Sequence, residues 1–573
     1  MSDTPNRPDH EPTSAGSWAQ AEPPERKRRA APVVAIAVAA VLVLGGIAAA
    51  VGFFLLRGSP DVLSKMAPAD ADVYVTVYLD PSAGQKLALR SLASRFPAVG
   101  KNGVQDHVDS LLEPAFRQSG LSFERDVKPW LGSQIAIVGK VTGERSLAVL
   151  IASKDDGAAQ TAMRKALAST GGTLHGEQHG DTTITVSMQP GSSTPDVVTA
   201  YANHTAIIGS DVPFVGEIID TAEGGASSLD SSSAYQHAVD GVPKSRLVLA
   251  YVDFGSILQQ IQSGLPGQGA ASPFLPGGLV NPNAYGAMVA TLRAESNGVA
   301  LDASVTIDRS KLTAEQQQLL DTTGDISKEI SLTPADAYGV MAQTGLRQAI
   351  QGIIDVLQRQ DPSVADQAQQ LGLTGPGGVV DQLTGDYGIT AGPWGADGGP
   401  GGAFMVGTTN EGKLRSLLDR LAEMAIGEAA DQGQGPAQRT QERYLGSTIV
   451  SLAAPELQDA GFLPSYTVTH GQAIVGTTAN AVKSVLRAQA GQDDTIDTSE
   501  RYRAVIHQTG SPTQGILYVD VGSVLDAVRK AIPPAVRSGF EQTARNIEPV
   551  RALAFTSDTQ GDRQRVHLFV LIE

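Results

Sequence analysis

YVDFGSIL at Tyr251–Leu258 returns as YVDVGSVL at Tyr518–Leu525, 267 residues later. Six of the eight residues are identical, and the two changes, Phe254 against Val521 and Ile257 against Val524, stay apolar. The same spacing carries AIIGS at Ala206–Ser210 onto AIVGT at Ala473–Thr477, Leu229-Asp230 onto Ile496-Asp497, and Tyr235 onto Tyr502. PADA at Pro68–Ala71 returns at Pro334–Ala337. The hairpin that closes the first set, Ala287–Glu295 with Gly298–Asp308, returns as Arg551–Ser557 with Val566–Ile572. Several blocks in one order at one spacing imply a tandem duplication of about 240 residues per copy, joined near Thr313–Ser331. Two copies predict a bilobal body rather than a solenoid, with lobe 1 over residues 64–312 and lobe 2 over 330–573. Whether the two lobes share one sheet is left open.

Within the first copy, ADVYVTVYL (Ala71–Leu79) alternates as a strand does, and Gly84–Phe96 and Val108–Arg117 have helical spacing. Ser133–Val141 and Ser146–Ser153 form a hairpin across a TGE turn. A helix over Ala158–Ala168 precedes strands at Asp181–Met188, Asp196–Ala202 and Thr205–Ser210. A helix at Phe214–Thr221, a strand at Leu247–Phe254 and a helix at Ser256–Gln262 lead to the closing hairpin. Adjacent hairpins point to antiparallel sheet, so the predicted class is α+β, with helices packed on one face.

Val33–Leu56, VVAIAVAAVLVLGGIAAAVGFFLL, holds no charged residue. As a helix it would span roughly 36 Å, enough to cross a hydrocarbon core of about 30 Å. Bilayer carbon offers no partner for backbone polar groups, so a lone segment there must be helical. Arg26, Lys27, Arg28 and Arg29 precede it and Arg57 follows it. This bias places the N-terminus in the cytoplasm and the C-terminal body outside a cell membrane. A signal peptide has a shorter apolar core, and here the run continues through Phe53, Phe54, Leu55 and Leu56. The expected partition is therefore a disordered tail over 1–30, poor in large apolar residues, and one transmembrane helix over 31–57.

The net charge is −17, and the charges of the first 31 residues cancel, so the acidity belongs to the body. An acidic surface repels phosphate backbones and argues against nucleic acid as a partner. With no cysteine there is no disulfide framework, thiolate nucleophile or cysteine-bound metal.

The layout of charged tail, anchor, P-A-D-A before an alternating strand, and then DVKPWLG (Asp126–Gly132) resembles a bacterial envelope family catalogued as domain of unknown function 3352. The resemblance would cover most of residues 64–573. It implies an envelope location and brings no activity and no site residues. Copy two departs from the pattern, with VVDQLTG at Val379–Gly385.

Four constellations invite a chemical reading. GTTNEGKL (Gly407–Leu414) matches G-x-x-x-x-G-K, but Leu414 stands where a P-loop places Ser or Thr, and a plain helix start with Asn410 and Glu411 is expected instead. His175 and His179 in HGEQH lack the H-E-x-x-H order, and the surrounding glycines break helices, so an exposed hairpin is expected rather than a zinc site. Asp253 and Asp520, with Ser256 and Ser523, lie where a strand feeds a helix and are expected to cap it. Asp493–Glu500 is acidic without the spacing of an EF-hand loop. Ser272–Val280, SPFLPGGLV, carries Phe274, Leu275, Leu279 and Val280 between prolines; it reads as a loop packed on its own domain, with a lid over an apolar cleft or a partner patch as the functional alternatives. No catalytic, metal or cofactor residue is assigned. The expectation is a non-enzymatic, membrane-anchored binding or scaffolding module that takes an envelope protein, a wall component or an apolar ligand. The alternatives are an envelope hydrolase whose site assembles only in three dimensions, and an accessory subunit of a secretion or transport complex.

Overall fold

The computed structural model describes residues 60–573 except 98–112, 114–115, 118–119, 143–144, 193, 265–280, 322–323, 376, 432–437, 455–456 and 459–460. The tail, the Val33–Leu56 span, the apolar SPFLPGGLV loop and most of the helix expected at 108–117 lie outside the described residues; Phe116 is helical and buried. Among the described residues no helix is long and apolar enough to cross a membrane.

The first half supplies β1 (Val73–Tyr78), β2 (Leu131–Lys140), β3 (Ser146–Ser153), β4 (Thr173–His179) and β5 (Thr182–Met188). It continues with β6 (Val197–Ala202), β7 (Thr205–Gly209), β8 (Val248–Asp253), β9 (Tyr285–Glu295) and β10 (Gly298–Ile307). The second half supplies β11 (Gly339–Gln343), β12 (Leu383–Gly392), β13 (Gly401–Thr408), β14 (Gln438–Tyr444) and β15 (Ser447–Ala453). Its last five are β16 (Ser465–Thr469), β17 (Gln472–Gly476), β18 (Gly515–Asp520), β19 (Val550–Gln560) and β20 (Arg563–Ile572). In the first half the strands lie in the order β4-β5-β6-β7-β3-β2-β1-β8-β9-β10, all antiparallel. The second half repeats this order from β14 to β20. β10 then pairs with β20 from Gly298↔Leu571 to Thr306↔Arg563, and Asp302 faces His567. Among the described residues the two halves thus share one 20-stranded antiparallel sheet.

The expectation of helices on one face is corrected. On one face of the first half, the helices Val212–Ala222 and Ser233–Val239 bring Phe214, Ile218, Ile219 and Tyr235 onto Tyr74, Val138 and Leu150. On the other, Ala83–Ala93 and Asp156–Ser169 bring Leu89, Leu92, Ala159 and Ala162 onto Val77, Ile135 and Ile151. The second half does the same with Ala479–Gln489 and Glu500–Thr509 on one face. Leu346–Gln360 and Glu411–Asp431 lie on the other. The reason is in the strands: Ala148, Val149, Leu150 and Ile151 of β3 are all buried, and an unbroken apolar run means cover on both faces.

The P-A-D-A repeat is a latch. Pro68 bridges to Ser228 and Pro334 to Thr495, so in each half the entering chain is tied to the loop ahead of a helix. The joint between halves depends on a glycine. A Cβ on Gly298 would stand 2.2 Å from the Val570 carbonyl oxygen and 2.5 Å from the Phe569 ring.

Candidate interaction surface

The centre of the sheet differs on its two sides. On one, Arg293 pairs with Glu295 at 2.7 Å and Asp302 at 2.8 Å, His567 meets Asp302 at 2.7 Å, and Arg565 meets Asp558 at 2.6 Å. Burial opposes ionisation of Asp302, but the bonds from His567 and Arg293 prevail and hold its carboxyl below the usual aspartate range.

The other side is apolar. Reading across strands by register, Leu292 faces Leu301, then Leu568, Phe555, Leu517, Met341 and Ile389. Leu517 is 41% exposed, Phe555 42% and Ile389 43%. The corresponding row of the first half runs Ile137, Val75, Ala250, Ala290. Where the first half has Ala250 and Ala290, the second has Leu517 and Phe555 (the YVD repeat fixes this correspondence).

Cover is withdrawn where the side chains grow. In the first half, the helix Ala83–Ala93 lies on β9, with Leu89 and Leu92 buried. Gln85 binds both backbone groups of Ala294, at 2.7 and 2.9 Å. In the second half, the helix after the first strand, Leu346–Gln360, lies on β12 instead. Its Leu346 and Ile350 pack inward and Ile354 is buried, but Ile353 is 60% and Leu357 43% exposed. All five sit at i, i+4, i+7, i+8 and i+11, one face of one helix. Six strand spacings of about 4.8 Å, roughly 29 Å in all, separate β9 from β12; the first-half cluster reaches Val299, Val570 and Val550 at one end of the intervening strands, and away from it the row from Phe555 to Ile389 stays exposed. Leu517, Phe555, Ile389, Ile353 and Leu357 together expose on the order of 400 Å² of apolar surface, the size at which a patch on a soluble protein is commonly functional. Sequence reasoning missed this surface. The signal was the run ALAF at Ala552–Phe555, apolar on both faces of a strand whose Phe555 stays 42% exposed.

The residues singled out in the sequence fall elsewhere. Asp253 accepts from the Ser256 amide at 3.2 Å and its hydroxyl at 2.8 Å. Asp520 accepts from the Ser523 amide at 2.7 Å and pairs with Arg501 at 3.1 Å. Both aspartates therefore cap helices. At Gly407–Leu414, Asn410 caps through the Lys413 amide at 3.1 Å, and Glu411 accepts from the Gly471 amide at 2.7 Å. A cavity of about 640 Å³ opens beside this helix start. The cations at its edge are tied down, Lys413 to the Gly377 carbonyl at 2.7 Å and Arg420 to that of Leu371 at 2.8 Å. A second cavity, about 530 Å³, lies between Tyr285, Arg309 and Asp562. Neither touches the apolar row. His175 and His179 lie on β4, paired with β5 as a hairpin, and His179 bonds Asp220 at 2.8 Å. In the acidic loop, Asp493 pairs with Arg487 at 2.6 Å. Among the described residues no group of three or more His, Asp or Glu is placed to hold a metal ion.

One buried carboxylate has no such role. Glu329 is 1% exposed, and its Oε2 finds no hydrogen-bond partner among the described residues. Burial, with the nearby Asp386 charge, lifts its carboxyl above the ordinary glutamate value of 4.5. Five residues before the latch proline in the first half stands Leu63, fully buried. Glu329→Leu is expected to stabilise the second half by about 1–3 kcal/mol at pH 7. A carboxyl whose folded pKa is raised contributes fully below its unfolded value and loses that contribution as pH rises through the folded one. The advantage of Glu329→Leu therefore shrinks as pH falls to about 4. Denaturant unfolding followed by Trp394 in a Trp130→Phe background checks this; a pH-independent difference would refute it.

No curated protein matches the chain. Among solved structures, crystal form III of TP0453 is 13% identical, with a TM-score of 0.25, covering 46% of this chain and 85% of that one. Crystal form I of TP0453 is 14% identical, with a TM-score of 0.23 and the same coverages, 46% and 85%. Residues 36–571 match the model of a protein family of unknown function, DUF3352, and the chain belongs to that family.

Proposed function

We propose that this protein is a membrane-anchored binding or scaffolding module of the bacterial cell envelope, and that its working surface is the open apolar floor of the central sheet. The reading takes Val33–Leu56 as a single span with the body outside the cytoplasm, and takes the two halves as copies of one duplicated unit. The repeated strand order and the recurring sequence blocks support duplication. The observation that carries the binding role is the row from Leu568 through Phe555 and Leu517 to Ile389. It holds the larger side chains of the two halves, and among the described residues Leu517, Phe555 and Ile389 stay 41–43% exposed.

Small apolar ligands favour concave clefts that bury most of their surface, whereas a wide, flat floor suits another protein. A photoreactive residue in place of Leu517 or Phe555, irradiated in native membranes, is expected to capture a protein partner. The same residue at Ser304, on the opposite face of β10, is expected to capture none. Equal capture at both places, or none at the floor, would overturn the assignment.

A further inference from the structure

Resting on that reading of the floor as a binding surface, we propose that its occupant is a second copy of this chain. The Leu346–Gln360 helix of each copy would lie on the floor of the other. The chain carries both parts of such a contact. One is the uncovered floor of Met341, Ile389, Leu517 and Phe555. The other is an amphipathic helix beside it whose apolar face is only partly covered, with Ile353 and Leu357 left exposed.

The first half shows what fits such a floor. There a helix of the same place in the chain order lies across it with leucines inward, Leu89 4% and Leu92 3% exposed. The roughly 29 Å between the strands that carry the two helices exceeds the diameter of about 10 Å of a helix with its side chains. A two-fold arrangement uses helix and floor twice, once in each direction, as isologous interfaces do. The exposed apolar side chains supply on the order of 400 Å² per copy, and the half-exposed Leu301, Leu568, Met341 and Val566 extend the contact toward the roughly 800 Å² per partner of a stable interface. The charged side of the sheet, with Arg293, Asp302, His567 and Asp558 paired among themselves, offers no equivalent.

The test uses the full chain in membranes, in two tagged forms. One carries Ile353→Lys and Leu357→Lys, the other Leu517→Glu and Phe555→Glu. These four side chains are exposed, so folding is expected to survive; unchanged circular dichroism and thermal unfolding of the purified chains verify that. Wild-type copies with different tags are expected to co-purify. Either variant against itself is expected to lose co-purification at least tenfold. The two variants together are expected to regain it, because lysine helix meets glutamate floor in one contact and native helix meets native floor in the other. Since the chain has no cysteine, Ile353→Cys in one copy and Leu517→Cys in the other are expected to give a disulfide-linked dimer under mild oxidation. Wild-type copies that do not co-purify, or variants that associate undiminished, would overturn the second copy as occupant. If the copies stay apart while the photoreactive floor captures a different protein, the binding surface stands and only the occupant is wrong. If neither is captured, both readings fall.

Discussion

Replacing Asp61 with alanine is expected to destabilise the first half by about 2–4 kcal/mol, because one carboxylate gathers the start of the body. Asp61 accepts hydrogen bonds from the hydroxyls of Tyr74 at 2.7 Å, Tyr78 at 3.2 Å and Tyr235 at 3.4 Å, and from the Ser64 amide at 3.3 Å. Arg246 closes the ring by donating to Tyr78 at 2.9 Å. Tyr74 is fully buried, so without Asp61 its hydroxyl would keep no acceptor and no water. Burial raises the Asp61 carboxyl above the ordinary value of 3.8, against the pull of the tyrosine bonds and Arg246. A raised carboxyl contributes most below its unfolded pKa, so the loss in Asp61→Ala is expected to be larger near pH 4 than at pH 7. Unfolding followed by Trp130 in a Trp394→Phe background reads the first half. A loss under 1 kcal/mol, or one that grows with pH, would show that the cluster does not hold the chain as described.

The same residues show how much of the fold was legible in sequence. In the first half the hairpins and most strand bounds followed from alternation and turn chemistry, because each depends on neighbours close in the chain. The YVD blocks pointed to corresponding strands in the two halves, and capping by Asp253 and Asp520 was readable because the spacing to Ser256 and Ser523 is local. The apolar floor was not readable. It forms only when β10 pairs with β20, nearly half the chain away, and when Leu346–Gln360 lies on β12 while Ala83–Ala93 lies on β9. Neither a pairing partner nor a helix's lateral placement is written in local periodicity. The Asp61 cluster was hidden for the same reason, since Tyr235 comes from 174 residues further on. Unbroken apolar strands such as β3 did announce cover on both faces, and the expectation of one covered face missed that signal.

Leu44→Arg is expected to release the protein from the membrane, and the Asp61 cluster gives that result its significance. On translocon scales an arginine at the centre of a span costs about 2.5–3.5 kcal/mol, on the order of a hundredfold in the insertion equilibrium. Val33–Leu56 carries three glycines, at Gly45, Gly46 and Gly52, with alanine at its other small positions, so its margin rests largely on valine, leucine and phenylalanine.

 The glycines of the stretch are those three, and no proline interrupts it between Val33 and Leu56. Arg57, Gly58 and Ser59 are the whole connection from Leu56 to Pro60. Pro60 is already fixed to the sheet, its carbonyl accepting from the Gln134 amide at 2.7 Å, and the Val62 amide donates back to Gln134 at 3.0 Å. Three extended residues reach about 10 Å, so an inserted span would hold the body against the lipid surface with little freedom to turn. Two copies tethered this way would meet at raised effective concentration, which favours the helix-on-floor contact without adding any to it. The measurement is the share of protein that stays with membranes after alkaline carbonate extraction. The wild-type chain is expected in the membrane fraction, and Leu44→Arg is expected to lose most of it, together with co-purification of tagged copies at the same expression level. Undiminished membrane yield in Leu44→Arg would count against the span, and the short tether would then lose its physical basis.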